Sequence, residues 1–297
     1  MSMRKLQIDP DTNLGELLVY LITLDKVEVF SNQLNTGASD MAKLTGINYI
    51  WDAPAARVVE EQISVIRQAV ANGADLIMLQ ALDTINVSVA VEEAKASGTK
   101  IIYVDAPAVE EAIVILATDN YSAGQMAGEL MINQLESEGI LSGPIGVIDG
   151  IPEMTTRLNR QFGFRDIIVR DGKYQLLPTR YAQGNPVDIQ NSTEAFINEN
   201  PDLAGLFATY EGATIGMGYA LMDMNKPIIG IGFDIADVIR DMINNDVLIA
   251  TLVQNPYTMT WLGMAQAIAA LTGNETGPRF INTGISMVTK YGRNVIT

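Results

Sequence analysis

Six aliphatic runs in this chain end on, or just before, a carboxylate or an amide. Asp25 follows LLVYLITL, Gln80 follows ADLIML, Asp105 follows KIIYV, Asp149 follows GPIGVI, Glu211 lies just past LAGLFATY, and Asp234 follows PIIGIGF. Carboxylates and amides accept hydrogen bonds from hydroxyl or ammonium groups, and paired carboxylates can perform acid–base chemistry. The chain has no histidine and no cysteine. That removes an imidazole base, Ser-His-Asp chemistry, the usual zinc sites, thiolate nucleophiles and disulfides. With 19 basic and 35 acidic residues, the net charge of −16 disfavours a surface that neutralises nucleic-acid phosphates. A single acid after a strand is commonly a helix cap or turn former. A set of them in both halves of one chain points to a polar cleft.

The runs carrying these groups alternate with amphipathic segments. Strands are expected at Leu17 to Leu24, Ile47 to Ala53, Ala74 to Gln80 and Lys100 to Ala106, with helices over Phe30 to Leu44, Val58 to Asn72 and Asn86 to Ser97. The second half repeats the scheme. Its strands are expected at Gly143 to Gly150, Tyr174 to Tyr181, Leu203 to Tyr210 and Pro227 to Asp234, with helices beginning near Thr155, Ile189, Ala213 and Ile235. Such alternation predicts βαβ units and parallel sheets covered on both faces. At 297 residues the chain suits two α/β lobes, each doubly wound and Rossmann-like. In open sheets of this kind ligands bind beyond the carboxyl ends of the strands, where the six groups fall.

No phosphate-binding G-x-x-x-x-G-K-[ST] stretch is present, and GIGFD at Gly230 to Asp234 lies in a strand without dinucleotide-site spacing. No cofactor and no metal are expected. GMGYALM from Gly216 falls inside a helix, where its small residues permit close packing. Trp51, Trp261 and the methionines from Met217 to Met224 are assigned to core packing, and ELMINQLESEG, Glu129 to Gly139, to a solvated helix face. The N-terminal MSMRKLQIDPDTNLGE has no apolar core of a signal peptide.

The order of elements and several motifs resemble the ribose-type periplasmic sugar-binding proteins of ABC importers, whose type I fold is shared with the effector domains of lactose-repressor-type regulators. The resemblance runs from Leu17 onward and rests on IIYVDA, ATDNYSAGQMAGE, RQFGF, IGFD, ATLVQNPY and TGISMVTK. It implies that Asp105 and Asp234 accept hydrogen bonds from sugar hydroxyls, one from each lobe. Gln254 falls on a glutamine at an interlobe crossover, a ligand contact at a hinge, although capping the following helix remains open. Phe30 matches an aromatic that packs on a sugar ring, or belongs to the core. Asp25 and Glu28 lie where the family has an asparagine, and one of them is expected to face the ligand. Arg157 is one residue out of register with the family's sugar-binding arginine. Arg160 fits a second arginine, with a structural role.

Three departures point away from ribose. Ala106 stands where the family has an arginine, Tyr210 replaces an asparagine and offers a stacking surface or a core plug, and the second-lobe aromatic falls near Gly184 or Asn185. The resemblance implies three crossovers, which delimit an N-terminal lobe of residues 1–118 plus 255–283 and a C-terminal lobe of 119–254 plus 284–297. It implies capture of a monosaccharide or related polyol by hinge closure, without catalysis. The implied setting is extracytoplasmic, periplasmic or lipid-anchored, with the importer's permease and a chemoreceptor as partners and no nucleic acid. Two alternatives remain: the effector domain of a transcription regulator, and a sugar hydrolase using Asp105 and Asp234.

Overall fold

The computed structural model describes residues 13–150, 154–183 and 185–296. After a short 3-10 turn, Leu14–Glu16, the chain forms β1 (Leu18–Ile22), α1 (Val29–Thr45), β2 (Asn48–Asp52), α2 (Val59–Ala71), β3 (Leu76–Leu79), α3 (Ser88–Ala96), β4 (Lys100–Val104) and β5 (Ile115–Ala117). It continues with α4 (Asn120–Ser137), β6 (Gly143–Asp149), α5 (Thr155–Asp171), β7 (Tyr174–Leu176), β8 (Arg180–Tyr181), α6 (Pro186–Glu199) and β9 (Gly205–Ala208). Next come α7 (Glu211–Met224), β10 (Ile229–Phe233), α8 (Asp237–Asn244), β11 (Ala250–Gln254), α9 (Pro256–Leu271), β12 (Phe280–Asn282), β13 (Ile285–Thr289) and β14 (Gly292–Ile296).

Two compact units result. One comprises Met1–Thr118 with Asn255–Thr283, the other Asp119–Gln254 with Gly284–Thr297. The N-terminal stretch expected to lack a signal peptide lies largely outside the described residues, as does Gly184.

The first unit is a six-stranded sheet in the order β12-β5-β4-β3-β1-β2, all neighbours parallel. Both faces of β3 are covered, so LIML is buried at every position. Met78 and Leu76 pack with Leu34, Met259 and Met264 from α1 and α9. Ile77 and Leu79 pack with Ile66, Val91 and Ala94 from α2 and α3. Trp51 sits on β2 rather than on a helix, against the first of these clusters, with its indole N–H donating to Thr23 Oγ1 at 2.8 Å.

The second unit orders its sheet β14-β13-β11-β10-β9-β6-β7, with β8 also on β6. Two expectations are corrected here. The strand expected from Tyr174 to Tyr181 is two strands, because Pro178 has no N–H for the ladder and Arg165 takes the Leu177 carbonyl at 3.2 Å. The sheet is also not wholly parallel: β13 runs antiparallel to β11 and β14 antiparallel to β13. Gln254 ends β11 at a unit boundary and pairs with Ile285, just after the next boundary, so a chain leaving at one and re-entering at the other runs in the opposite direction. The short link from β13 to β14 permits only an antiparallel pair.

Helix α6 begins at Pro186 rather than near Ile189, because Asn185 and Asp188 form a reciprocal capping box with proline at the first turn. Met217 is fully buried as expected, whereas Met222 on the same helix is 51% exposed and is not core; a side chain on Gly216 would meet Ile189 at 2.7 Å, so the small residue admits close packing. Helices α4 and α5 approach still more closely. A Cβ on Gly163 would stand 1.9 Å from the Tyr121 carbonyl oxygen.

Candidate functional site

In the first unit the polar groups gather at the carboxyl ends of β1 to β4. Asp25 follows β1 and is buried; its Oδ1 accepts the backbone N–H groups of Val27 and Glu28, both at 2.8 Å. Its Oδ2 accepts Arg57 Nε at 3.0 Å and also Arg57 Nη2. Burial alone pushes this carboxyl up, but the backbone donors and the guanidinium outweigh it and hold Asp25 below the usual aspartate range. Glu28, the residue before α1, pairs with the same guanidinium. Phe30 lies in the first turn of α1, half-buried against the core on that face. Arg57 was not singled out from the sequence. Its place in the loop after β2, beyond a strand's carboxyl end, is the sequence signal that marks it.

Asp105 stands after β4 with φ at 61°, in the left-handed region that aspartate tolerates better than most residues. Its Oδ2 accepts Gln80 Nε2 at 2.8 Å, and Gln80 Oε1 accepts the Leu24 N–H at 3.3 Å. Behind it, fully buried Gln62 donates to the Gln80 carbonyl at 2.9 Å and accepts the Leu82 N–H at 2.8 Å. Two amides therefore tie the ends of β1, β3 and β4 together and fix the Asp105 carboxylate. Gln62, a polar residue on the apolar face of α2, was the other omission, and its break in the hydrophobic stripe was the available sign.

The second unit repeats the arrangement. Asp234 follows β10 with φ at 67°; its carbonyl accepts Thr251 Oγ1 at 2.7 Å, and its Oδ1 accepts Gln254 Nε2 at 2.9 Å. Gln254 is 6% exposed, and its Oε1 is buried without a hydrogen-bond partner. That leaves an acceptor prepared for a donor. The residue does not cap α9 through its side chain, since Asn255 holds the cap position and no side-chain cap bond forms there.

At the carboxyl ends of β6 and β9 in the same unit, Arg157 stacks over the Tyr210 ring at 3.7 Å and places Nη1 3.8 Å from Asp149 Oδ1. Asp149 is wholly buried and also accepts the Gly150 N–H at 2.6 Å and Gln161 Nε2. Burial pushes its carboxyl above the ordinary aspartate value, against the pull of those donors and of Arg157. Burial likewise raises the Tyr210 hydroxyl. A Cβ on Gly150 would lie 2.8 Å from the Tyr210 hydroxyl and 2.9 Å from Arg157 Nη1, so the glycine lets these two side-chain ends lie close to the strand end.

Arg160 behaves differently. It is 4% exposed, donates to Asn120 Oδ1 at 2.8 Å and to the Thr209 carbonyl at 2.7 Å, and lies over Phe233. It is a brace between α4, α5 and the sheet. Glu211 opens α7, where the helix dipole favours an acid. Among the described residues no acidic group clusters as a metal site and no helix is long and apolar enough to cross a membrane.

Two doubly wound units connected by three passages of the chain, each with polar groups at its strand ends, define the architecture of the type I periplasmic binding proteins. The chain belongs to the periplasmic binding protein domain family, whose model matches residues 19–275. It is 25% identical over 247 residues to the ribose import binding protein of Bacillus subtilis, covering 83% of this chain and 79% of that protein. An ABC transporter solute-binding protein from Agrobacterium vitis with bound D-fucose is 26% identical, superposes with a TM-score of 0.83, and is matched over 92% of this chain and 96% of its own. A sugar-binding protein of a sugar ABC transporter from Bacillus halodurans shares the fold with a TM-score of 0.86 at 23% identity, over 92% of this chain and 98% of that one.

Proposed function

We propose that the protein captures a monosaccharide or related polyol outside the cytoplasm and delivers it to the permease of an ABC importer. The observation that carries this reading is the device present once in each unit. A strand-end aspartate in left-handed conformation has its carboxylate gripped by a glutamine from the neighbouring strand, Asp105 by Gln80 and Asp234 by Gln254. Carboxylates fixed this way accept from hydroxyl donors without further reorganisation. The buried Gln254 Oε1 supplies another acceptor, Arg157 a donor fork, and Tyr210 and Phe30 apolar ring surface. Glu28 and Asp25 complete the proposed contacting set, Asp25 acting through the guanidinium it holds. The names of the relatives support transport over either a regulator or a hydrolase.

Closure of the two units about the three connections is part of the proposal, driven by ligand affinity for the closed form alone. A chemoreceptor is a second partner that such a closed form would suit. A micromolar dissociation constant corresponds to about −8 kcal/mol, which a few charge-assisted hydrogen bonds and ring contacts supply. The test is titration calorimetry with D-ribose, D-fucose, D-galactose and D-arabinose, on the wild type and on Asp234→Asn. Asparagine keeps the left-handed backbone and removes the charge. Micromolar binding of one sugar, weakened at least tenfold by the substitution, supports the reading. No binding by the wild type, or release of sugar from a glycoside, overturns it.

A further inference from the structure

Arg57 is bracketed by two carboxylates, yet its guanidinium is not fully engaged. Nε and Nη2 are taken by Asp25 and Glu28, whereas Nη1 donates no hydrogen bond among the described residues and the side chain is 40% exposed. A guanidinium carries five N–H donors in a rigid fork, so the Nη1 pair remains available in a fixed direction. An ordinary surface ion pair leaves a long cation free to wander. Here Asp25 is itself immobilised by two backbone N–H donors, so its grip defines where the fork stands.

The location matters as much as the geometry. Arg57 reaches from the loop after β2 to Asp25 after β1, and the Leu24 N–H is tied through Gln80 to Asp105 after β4. One rim of the first unit thus offers a fixed acceptor at Asp105 and a fixed donor at Arg57. Val27 and Val58, in the same loops as the ion-paired residues, expose apolar surface at 84% and 42%. Hydroxyl groups that both donate and accept, set on a C–H skeleton, match such a rim. The local charge of one cation and two anions is net −1, which repels a carboxylate.

We propose that Arg57 is a ligand-contacting, specificity-determining residue through which the first unit donates to a hydroxyl or ring oxygen. Asp25 and Glu28 orient it and keep the rim selective for neutral sugars over sugar acids. This rests on the sugar reading above and deepens it.

The experiment measures dissociation constants of the wild type, Arg57→Met, Arg57→Lys and Glu28→Gln for D-ribose, D-fucose, D-galactose and D-galacturonate. The melting temperature of each unliganded protein is recorded alongside. Arg57→Met is expected to weaken the sugar that binds by roughly ten- to a hundredfold, the loss of one charge-assisted hydrogen bond. Arg57→Lys keeps the charge without the fork and is expected to lose at least fivefold; it decides the matter if the methionine variant does not fold. Glu28→Gln is expected to raise the affinity for D-galacturonate relative to D-galactose at least threefold. Sugar affinities within twofold of wild type in the folded Arg57 variants, or an unchanged acid-to-sugar ratio in Glu28→Gln, overturn the assignment while leaving the sugar reading intact. A wild type that binds none of the probes overturns the sugar reading, and this inference with it.

Discussion

Replacing Gln80 by methionine separates the two bonds that this amide makes. The side chain is 2% exposed, so the similar-sized methionine fills its space without opening a cavity. The Leu24 N–H, which has no other acceptor among the described residues, is left unpaired in a buried setting, which costs about 1–3 kcal/mol. Asp105 loses a charge-assisted bond of 2.8 Å, about 1.5–3 kcal/mol in full and toward the lower end here because Asp105 retains some solvent access. Gln80→Met is therefore expected to destabilise the first unit by about 2–4 kcal/mol. The second partner is best removed as Asp105→Gly, since φ of 61° suits glycine and strains alanine. Urea unfolding of the two single variants and the double variant then gives the coupling. A value of about 1–2 kcal/mol is expected, because the Asp105 share of the loss vanishes once the carboxylate is gone. Additivity within about 0.5 kcal/mol would refute the claim that Gln80 positions Asp105.

Gly163→Ala must push α5 off the α4 backbone, since the added carbon meets the Tyr121 carbonyl rather than a flexible side chain. A loss of about 1–3 kcal/mol in denaturant unfolding is expected, and no loss would show that the helices part easily. Asp149 and Asp25 give opposite pH dependences. Asp149 has a folded pKa above the ordinary 3.8, so the native state holds its proton longer and stability falls as pH rises through that interval. Asp25 has a folded pKa below 3.8, so its contribution is present above that value and is lost as pH falls through the lowered one. Unfolding free energies measured from about pH 3 to pH 7 should show Asp149→Asn making stability rise more steeply with pH than in the wild type and Asp25→Asn making the loss on acidification shallower. Equal slopes in wild type and both variants contradict the assignments.

Much of this molecule was legible in the sequence because its signals are local. Runs such as LIML and GLFA, unbroken by polar residues, announce strands covered on both sides, and a carboxylate or amide at or shortly after the run marks a carboxyl end. Local pattern gives no sight of partners far apart in the chain. Asp25 read as a carboxylate facing a ligand, but Arg57 lies 32 positions away and only the fold brings the two together. Gln80 was legible as a strand-end amide, but its hold on Asp105 was not, and Gln62 was less visible still, because a buried glutamine looks like a solvated one until the groups it serves are known. Pro178 is the converse case. It was visible, and its effect on the ladder follows from its chemistry, yet the apolar run around it suggested an uninterrupted strand. The antiparallel edge of the second sheet depends on where the chain re-enters a unit, which periodicity does not encode.

The backbone at Asp105 and Asp234 also governs what these positions can become over generations. A left-handed turn admits asparagine and glycine readily, whereas leucine, glutamate or a β-branched residue pays about 1–2 kcal/mol before meeting any ligand. Drift at these two positions therefore has few exits: a charged acceptor, a neutral amide, or nothing at all. With the contacts proposed above, a lineage altering its diet would find more freedom at Arg57, Arg157 and Tyr210, whose backbones impose no such restriction, so new preferences should accumulate around two aspartates that stay put.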